Sequence, residues 1–125
     1  MIFGMDNEKI NSLGAIHTSN EIKHQPKLWE ETFKIIFDRK QDVEIFLKKF
    51  LKKECRVILT GAGTSAYIGD VIYLYLRKKL GLCVESIATT DIVSNPQDFL
   101  QEDIPTILIS YARSGNSPES VGAFD

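Results

Sequence analysis

The chain has 125 residues and a formal net charge of −2, with 43% hydrophobic and 26% charged residues. This length suits one small domain, and the near-neutral charge favours neither nucleic acid nor a membrane surface as a partner. No apolar run reaches the roughly 20 residues that a membrane span requires, and the first residues lack a signal-peptide pattern. We therefore expect a globular cytoplasmic protein.

The cysteines and histidines are too few and too scattered for a metal site or a disulfide framework. Cys55 and Cys83 each precede a predicted strand, so we expect both thiols to be buried or half-buried. His17 and His24 lack the clustered partners that a metal site needs. The sequence predicts no metal and no cofactor.

The first quarter of the chain predicts a weakly ordered start followed by a helix. Residues 1–14 show no regular pattern and are expected to be weakly ordered or peripheral. The spacing of Thr18 and Glu21 is typical of a capping box, which opens a helix. That helix is expected to be short and to end before Pro26.

The next segment, residues 28–51, carries apolar residues at helical spacing. The polar stretch 38–42 interrupts the pattern. We predict two helices here, with Asp42 as the N-cap of the second. A single kinked helix is the alternative.

The rest of the chain alternates between strands and helices. Apolar runs predict strands at 56–60, 84–88 and 106–110. A helix is predicted at 65–80, with Gly81 as its C-cap.

Two further helix starts follow the second and third predicted strands. Residues 95–98 predict a helical turn that reaches Phe99. Ser117 as N-cap and Pro118 at the first helical position predict a helix after the third strand.

This alternation predicts an α/β fold: a three-layer sandwich with a parallel, flavodoxin-like sheet, preceded by N-terminal helices. Right-handed crossovers give the strand order 2-1-3, which reverses direction between the first and third strands. Ligands of open α/β sheets bind at the carboxyl ends of strands beside such a reversal. The loops that leave the first and third strands are therefore expected to form one site.

The loop after the first strand, residues 61–65, has the sequence Gly-Ala-Gly-Thr-Ser. Gly61 and Gly63 can adopt positive φ and let a ligand approach the backbone. Thr64 and Ser65 add hydroxyl groups where a helix begins, and a helix N-terminus suits a phosphate. A tight turn with capping hydroxyls and no ligand is the alternative.

The loop after the third strand has the same character. Ser114 and Ser117 can donate to phosphate oxygens, and Gly115 permits close backbone approach. Arg113 can supply positive charge, although a capped turn with an exposed arginine is the alternative. The predicted phosphate-binding set comprises Gly63, Thr64, Ser65, Arg113, Ser114, Gly115, Asn116 and Ser117.

A dinucleotide site is a further alternative for the first loop. Gly61, Gly63 and Ala66 fit the G-x-G-x-x-G/A pattern, and Asp91 lies where a ribose-binding acid could stand. A lone match of this kind is weak. The second hydroxyl-rich loop is not needed by a dinucleotide but suits a sugar phosphate held from both sides.

The two loops together resemble those of the sugar isomerase (SIS) domain, which binds phosphosugars through G-x-[GS]-[TS]-S and S-[RQ]-S-G-[ENT]-[ST] motifs. Ala112 stands where that family often has Ser. A closer resemblance is to the tagatose-6-phosphate ketose/aldose isomerase branch, also described as a galactosamine-6-phosphate deaminase/isomerase. It covers about residues 13–125 and is carried by the segments 13–18, 59–70, 88–91 and 112–120.

This resemblance implies an isomerase or deaminase that acts on a hexose or amino-hexose 6-phosphate and forms homo-oligomers with two SIS modules per chain. It places the catalytic Glu and the ring-opening His beyond Asp125, so Glu119 is expected to be a helix-start residue rather than the base. We thus expect a fragment with a truncated sheet. In it, residues 1–52 form a helical segment and residues 53–125 the first part of an incomplete SIS domain.

The alternative within the same family is a sugar-phosphate sensor without catalysis. Transcription regulators that use SIS domains usually carry a basic helix-turn-helix domain before the module. Residues 1–55 show amphipathic helices but no such pattern, which favours the enzyme.

Overall fold

The structure is a computed structural model that describes residues 3–124. The chain divides into two compact units, Met1–Phe46 and Leu47–Asp125. None of the helices in the described part of the chain is long and apolar enough to cross a membrane.

Helix α1, Asn7–Ser12, forms where we expected weak order. The Asp6 side chain caps it by accepting a hydrogen bond from the backbone N–H of Lys9 at 2.7 Å. Ile10 is completely buried, so this segment is anchored by a side chain as well as by its cap. Residues 1–2 of the expected weakly ordered region lie outside the described residues.

Helix α2, Ile16–Asp38, shows that the predicted capping box and the predicted stop are both wrong. Thr18 lies inside the helix, and the helix continues through Pro26. A proline removes one N–H donor and crowds the preceding turn. The helix nevertheless runs for 23 residues, so this loss does not end it.

Helix α3, Lys40–Phe50, begins directly after the helix break at Arg39. The prediction of two helices in this region is confirmed, but Asp42 is not the N-cap. It lies in the first turn, where a carboxylate still interacts favourably with the helix N-terminus.

The sheet has the predicted order, β2-β1-β3, with all strands parallel. Strand β1 is Arg56–Gly61, β2 is Cys83–Ser86 and β3 is Thr106–Tyr111. Strand β2 begins one residue before the predicted range 84–88 and ends two residues before its end. Register places Thr60 beside Ser110 and Gly61 beside Tyr111, so β1 and β3 end level with each other.

Helices cover both faces of the sheet, which confirms the three-layer architecture. On one face, α4 (Ala66–Leu80) contributes Ile72 and Leu76 against a buried cluster that includes Val57 and Leu59. On the other face, Ile58 packs with residues of α5 (Thr89–Ser94) and α6 (Pro96–Phe99), and with Ala123, which directly follows α7 (Pro118–Gly122). Alternating apolar residues of β1 thus supply both cores.

Helix α5 is an element that the sequence did not predict. Its six residues include two threonines and are too short for a periodic pattern to be recognised. Ile92, which is 1% exposed, fixes the helix against the sheet. Burial of one side chain, which local sequence does not reveal, decides this conformation.

The helix termini follow local sequence more closely. Gly81 ends α4 at φ +66° and donates its N–H to the Arg77 carbonyl, as predicted. Ser117 caps α7 by accepting from the Ser120 N–H, also as predicted.

The two cysteines differ in burial. Cys55 is buried as expected, whereas Cys83 is exposed, so the prediction for Cys83 is wrong. Cys83 begins an edge strand of the sheet, and such a position is not covered by neighbouring strands on both sides.

Candidate functional site

The loop after β1, which we call loop one (residues 61–65), turns the chain from the strand into α4 through a single 3₁₀ turn, Gly63–Ser65. Gly63 has φ +56°, as expected for a glycine in this turn. Gly61 does not have positive φ, so that part of the prediction is wrong. A Cβ at Gly61 would lie 2.7 Å from the Ser65 carbonyl carbon, so glycine is needed there for close backbone packing.

Loop one presents a free hydroxyl at the start of a long helix. Ser65 is the N-cap residue of α4, yet its side chain makes no capping hydrogen bond, and its backbone N–H donates to the Ala62 carbonyl at 3.2 Å. The N-terminus of the 15-residue α4 carries partial positive charge. An anion beside Ser65 would therefore meet both a hydroxyl donor and a favourable helix end.

The loop after β3, which we call loop two (residues 112–117), contains a left-handed glycine, Gly115, at φ +70°. The Ser114 Oγ accepts weakly from the Asn116 N–H at 3.4 Å. The Ser117 Oγ donates to the Ser120 Oγ at 3.0 Å and accepts from the Ser120 N–H at 3.3 Å. Helix α7 has only five residues, so its dipole is weak. The groups that loop two offers to an anion are therefore mainly its hydroxyls and backbone N–H groups.

The two loops line one cavity of about 360 Å³. This volume lies in the range of small-molecule sites. Six of the eight predicted phosphate-binding residues line it: Gly63, Ser65, Arg113, Ser114, Gly115 and Ser117. Thr64 and Asn116 belong to the same loops but are not among the lining residues. That these residues bind a phosphate stays a prediction.

Other lining residues were not in the predicted set. They are Ala62, Thr90, Tyr111, Ala112, Glu119 and Ser120. Thr90 reaches the cavity because of α5, which the sequence did not reveal, and Glu119 because α7 starts at the cavity wall. Burial raises the pKa of the Tyr111 phenol above its ordinary value, so this side chain is neutral at pH 7.

Two buried hydroxyls near the cavity have no hydrogen-bond partner among residues 3–124. They are Thr60 Oγ1, one residue before the end of strand β1, and Thr89 Oγ1, next to the cavity-lining Thr90. Both side chains are almost completely buried, at 1% and 0% exposure. Buried polar groups without partners are uncommon in folded proteins. The carboxyl end of the sheet therefore carries polar groups that the fold itself does not satisfy.

A second cavity of about 350 Å³ lies at the opposite, amino end of the sheet, beside the starts of β1 and β2. Arg56 lines it and donates to the Glu85 carboxylate and to the Phe99 carbonyl, the latter at 2.5 Å. The hydrogen bond from Arg56 lowers the pKa of Glu85, and partial burial opposes that shift. The charges of Arg56 and Glu85 are thus already neutralised within the protein.

A metal site has no support in the described residues, where no group of three or more His, Cys, Asp and Glu side chains is placed to hold an ion. His17 and His24 both lie exposed on α2. Asp91, the candidate ribose-binding acid, lies on α5 and does not line the cavity between the loops.

A parallel sheet ordered β2-β1-β3 with helices on both faces is a three-layer α/β fold, and two glycine- and hydroxyl-containing loops at its carboxyl end line one cavity. The structure aligns with the crystal structure of tagatose-6-phosphate ketose/aldose isomerase from Escherichia coli with a TM-score of 0.84 and 46% identity. That alignment covers 86% of this chain and 29% of the isomerase chain. The fold predicted from the sequence is confirmed.

Curated relatives carry a related name. The chain is 46% identical over 121 residues to the D-galactosamine-6-phosphate deaminase AgaS of Shewanella sp. (strain ANA-3), a match that covers 94% of this chain and 31% of the relative. It is 47% identical over 109 residues to the D-galactosamine-6-phosphate deaminase AgaS of Escherichia coli, a match that covers 86% of this chain and 28% of that relative. No protein-family model matches the chain.

The predicted resemblance to the tagatose-6-phosphate isomerase and galactosamine-6-phosphate deaminase branch is confirmed by these relatives. The chain spans 28–31% of the length of the proteins it matches. Their activities are properties of proteins about three times as long.

Proposed function

We propose that this chain is the phosphosugar-binding part of an isomerase or deaminase that acts on a hexose or amino-hexose 6-phosphate. The observation that supports this most directly is that loop one and loop two, from adjacent parallel strands, line the same cavity. The names of the relatives agree with such a substrate.

The phosphate is the group that this cavity suits best. The hydroxyls of Ser65 and Ser114 can donate to phosphate oxygens, and the Ser117 hydroxyl can do so when its proton turns from Ser120 Oγ to the ligand. Arg113 lines the same space and supplies positive charge. Loop one adds the N-terminus of α4. The hydroxyls, the backbone N–H groups and the positive charge of Arg113 together form the proposed phosphate-binding surface of the cavity.

Holding the phosphate would position the reacting carbons of the sugar. Aldose–ketose isomerisation requires ring opening and then transfer of a proton between C1 and C2 by a positioned base, and deamination adds loss of ammonia from C2. Binding energy from the remote phosphate orients those carbons for the reaction. We assign no catalytic base within this chain and propose that the base and the ring-opening acid lie in segments that the longer relatives contain.

Three further properties belong to the same proposal. We propose that the complete protein is a homo-oligomer and acts in the cytoplasm. We also keep the proposed organisation into a helical segment at residues 1–52 and an incomplete SIS domain at 53–125.

A binding experiment tests the proposed ligand class. The thermal unfolding midpoint of the 125-residue chain is measured with galactose 6-phosphate, with galactosamine 6-phosphate and with NADH. We expect stabilisation by the sugar phosphates and none by NADH, since only a ligand that binds the native state raises the midpoint. Stabilisation by NADH alone would establish the dinucleotide alternative and refute the proposal.

A matched pair of variants locates the binding. Ser114→Ala removes an exposed hydroxyl that lines the cavity, and we expect it to weaken sugar-phosphate binding about tenfold, as for one lost hydrogen bond to a charged group. Ser12→Ala removes an exposed hydroxyl on α1, outside the lining residues, and should leave binding unchanged. Equal affinities of the two variants would show that Ser114 does not contact the ligand.

A further inference from the structure

The cavity between the two loops is lined by one basic and one acidic side chain, Arg113 and Glu119. The two do not form an ion pair with each other. Within residues 3–124, neither side chain makes a hydrogen bond or ion pair with any other group. Arg113 is exposed, whereas Glu119 is half-buried in the first turn of α7. Both charges are thus free to interact with a ligand.

A carboxylate at this place is unfavourable for a ligand that carries negative charge alone. The phosphate would be attracted to Arg113 and to the loop hydroxyls, and Glu119 would repel it. The repulsion is strongest where water is partly excluded, as it is beside a half-buried group. Glu119 becomes favourable only if the ligand carries a positive charge at a point away from its phosphate.

We propose that Glu119 is a specificity-determining residue that binds the ammonium group of an amino-hexose 6-phosphate while the two loops hold the phosphate. This inference rests on the proposed function and selects the amino sugar within it. An amine of this kind resembles an α-amino group, whose pKa is about 7.7–8.0, so it is mainly protonated at neutral pH. A hexose with a hydroxyl at the same carbon offers Glu119 no charge.

The competing explanation for Glu119 is structural. An acidic side chain in the first turn of a helix stabilises that helix, and α7 begins at Pro118. A structural role would affect the stability of the protein and the binding of all sugar phosphates alike. Discrimination between an amino sugar and its hydroxyl analogue is a property that a helix-stabilising role does not explain.

The test compares two ligands that differ only at C2. Dissociation constants of galactosamine 6-phosphate and galactose 6-phosphate are measured by calorimetry for the 125-residue chain, for Glu119→Gln and for Glu119→Asp. Glu102→Gln is the matched control, because it removes an exposed carboxylate that does not line the cavity. Thermal unfolding verifies that each variant is folded.

We expect the unsubstituted chain to bind the amino sugar more tightly than its hydroxyl analogue. Glu119→Gln should weaken binding of galactosamine 6-phosphate about fivefold and leave galactose 6-phosphate unchanged or slightly tighter. Glu119→Asp keeps the charge and should retain part of the preference. Glu102→Gln should behave like the unsubstituted chain.

Two results would overturn the inference. If Glu119→Gln weakened both ligands equally, or if the preference survived that change, Glu119 would not contact the amine, and the proposed function would stand. If neither ligand bound the chain, the proposed function would fail together with the inference. Should Glu119→Gln not fold, an unchanged preference in Glu119→Asp would count against the inference, since a shortened side chain must alter a direct contact.

Discussion

The carboxyl and amino ends of the sheet carry cavities of nearly equal size, about 360 and 350 Å³ respectively. The charged side chains that line the two cavities differ in whether they are paired within the protein. At the amino end, Arg56 is bonded to Glu85 and to a backbone carbonyl. At the carboxyl end, Arg113 and Glu119 line the cavity without forming an ion pair. Cavity size therefore does not distinguish the two ends, whereas the pairing of charges does.

The difference has a physical meaning. A polar group that is bonded within the protein stabilises the fold but has little left to offer a ligand. A polar group without an internal partner stabilises nothing until a ligand arrives, so it can be retained for binding. The amino end thus holds the strands together, and the carboxyl end carries the proposed site. Substitutions of these charged residues at the amino end should consequently lower stability, and those at the carboxyl end should weaken ligand binding.

The largest effect is expected from Gly61→Ala in loop one. The new Cβ would lie 2.7 Å from the carbonyl carbon and 2.8 Å from the carbonyl oxygen of Ser65, and neither backbone atom can move aside without displacing the start of α4. We expect the free energy of unfolding to fall by about 2–3 kcal/mol. Urea unfolding followed by circular dichroism measures it.

The control for that change is Gly63→Ala in the same loop. A Cβ at Gly63 meets nothing within 4 Å, but φ is +56°, so the expected loss is about 1 kcal/mol. Gly63→Asn should lose less, since asparagine tolerates this conformation better. If Gly61→Ala lost no more stability than Gly63→Ala, close packing at Gly61 would not be what shapes loop one.

The next largest effect is expected from Arg56→Met at the amino end. The Arg56 side chain is 11% exposed, so methionine keeps much of the packing while removing both hydrogen bonds. Glu85 is 39% exposed, so solvent partly compensates its lost partner, and we expect a fall of about 1–2 kcal/mol. Binding of sugar phosphates should be unchanged. A loss of binding without a loss of stability would reverse the roles assigned to the two ends.

The same pair gives a pH dependence with a definite sign. Arg56 lowers the pKa of Glu85 in the folded protein relative to the unfolded chain. The ion pair therefore contributes its full stabilisation of the fold above the pKa of Glu85 in the unfolded chain, about 4.3. That contribution is lost as the pH falls through the lower pKa of Glu85 in the folded protein. The difference in unfolding free energy between the unsubstituted chain and Arg56→Met should narrow as the pH falls below about 4.3. A constant difference down to the folded pKa and beyond would refute the link to Glu85.

A smaller effect on stability is expected from Ser117→Ala, at the boundary between loop two and α7. This change removes the hydroxyl that accepts from the Ser120 N–H, and the loss of an N-cap is worth about 1 kcal/mol. Ser114→Ala, three residues earlier and exposed, should change the unfolding free energy by less than about 0.5 kcal/mol. Equal losses of stability would show that Ser117 does not cap α7.

The smallest effect is expected from Lys27→Met on α2. Lys27 and Glu31 are 3.7 Å apart, and their side chains are 70% and 53% exposed. An exposed pair of this kind is worth less than about 0.5 kcal/mol. A loss as large as that of Arg56→Met, measured by the same urea titration, would mean that burial is not what separates the two pairs.

The sequence predicted those features that depend on a few neighbouring residues. The left-handed Gly81 and the Ser117 cap are local, because each follows from the conformation of one residue and the hydrogen bonds of one turn. The strand order β2-β1-β3 was also predictable, since crossover handedness leaves few arrangements for alternating strands and helices. Most of the predicted loop residues consequently line the cavity.

Tertiary structure decided the features that depend on distant neighbours. Helix α5 exists because Ile92 is buried against the sheet, and it brings Thr90 to the cavity. Gly61 is required by the nearby backbone of Ser65 rather than by its own φ angle. Local sequence records the preferences of single turns, whereas burial and close approach are set by residues that meet only after the chain has folded.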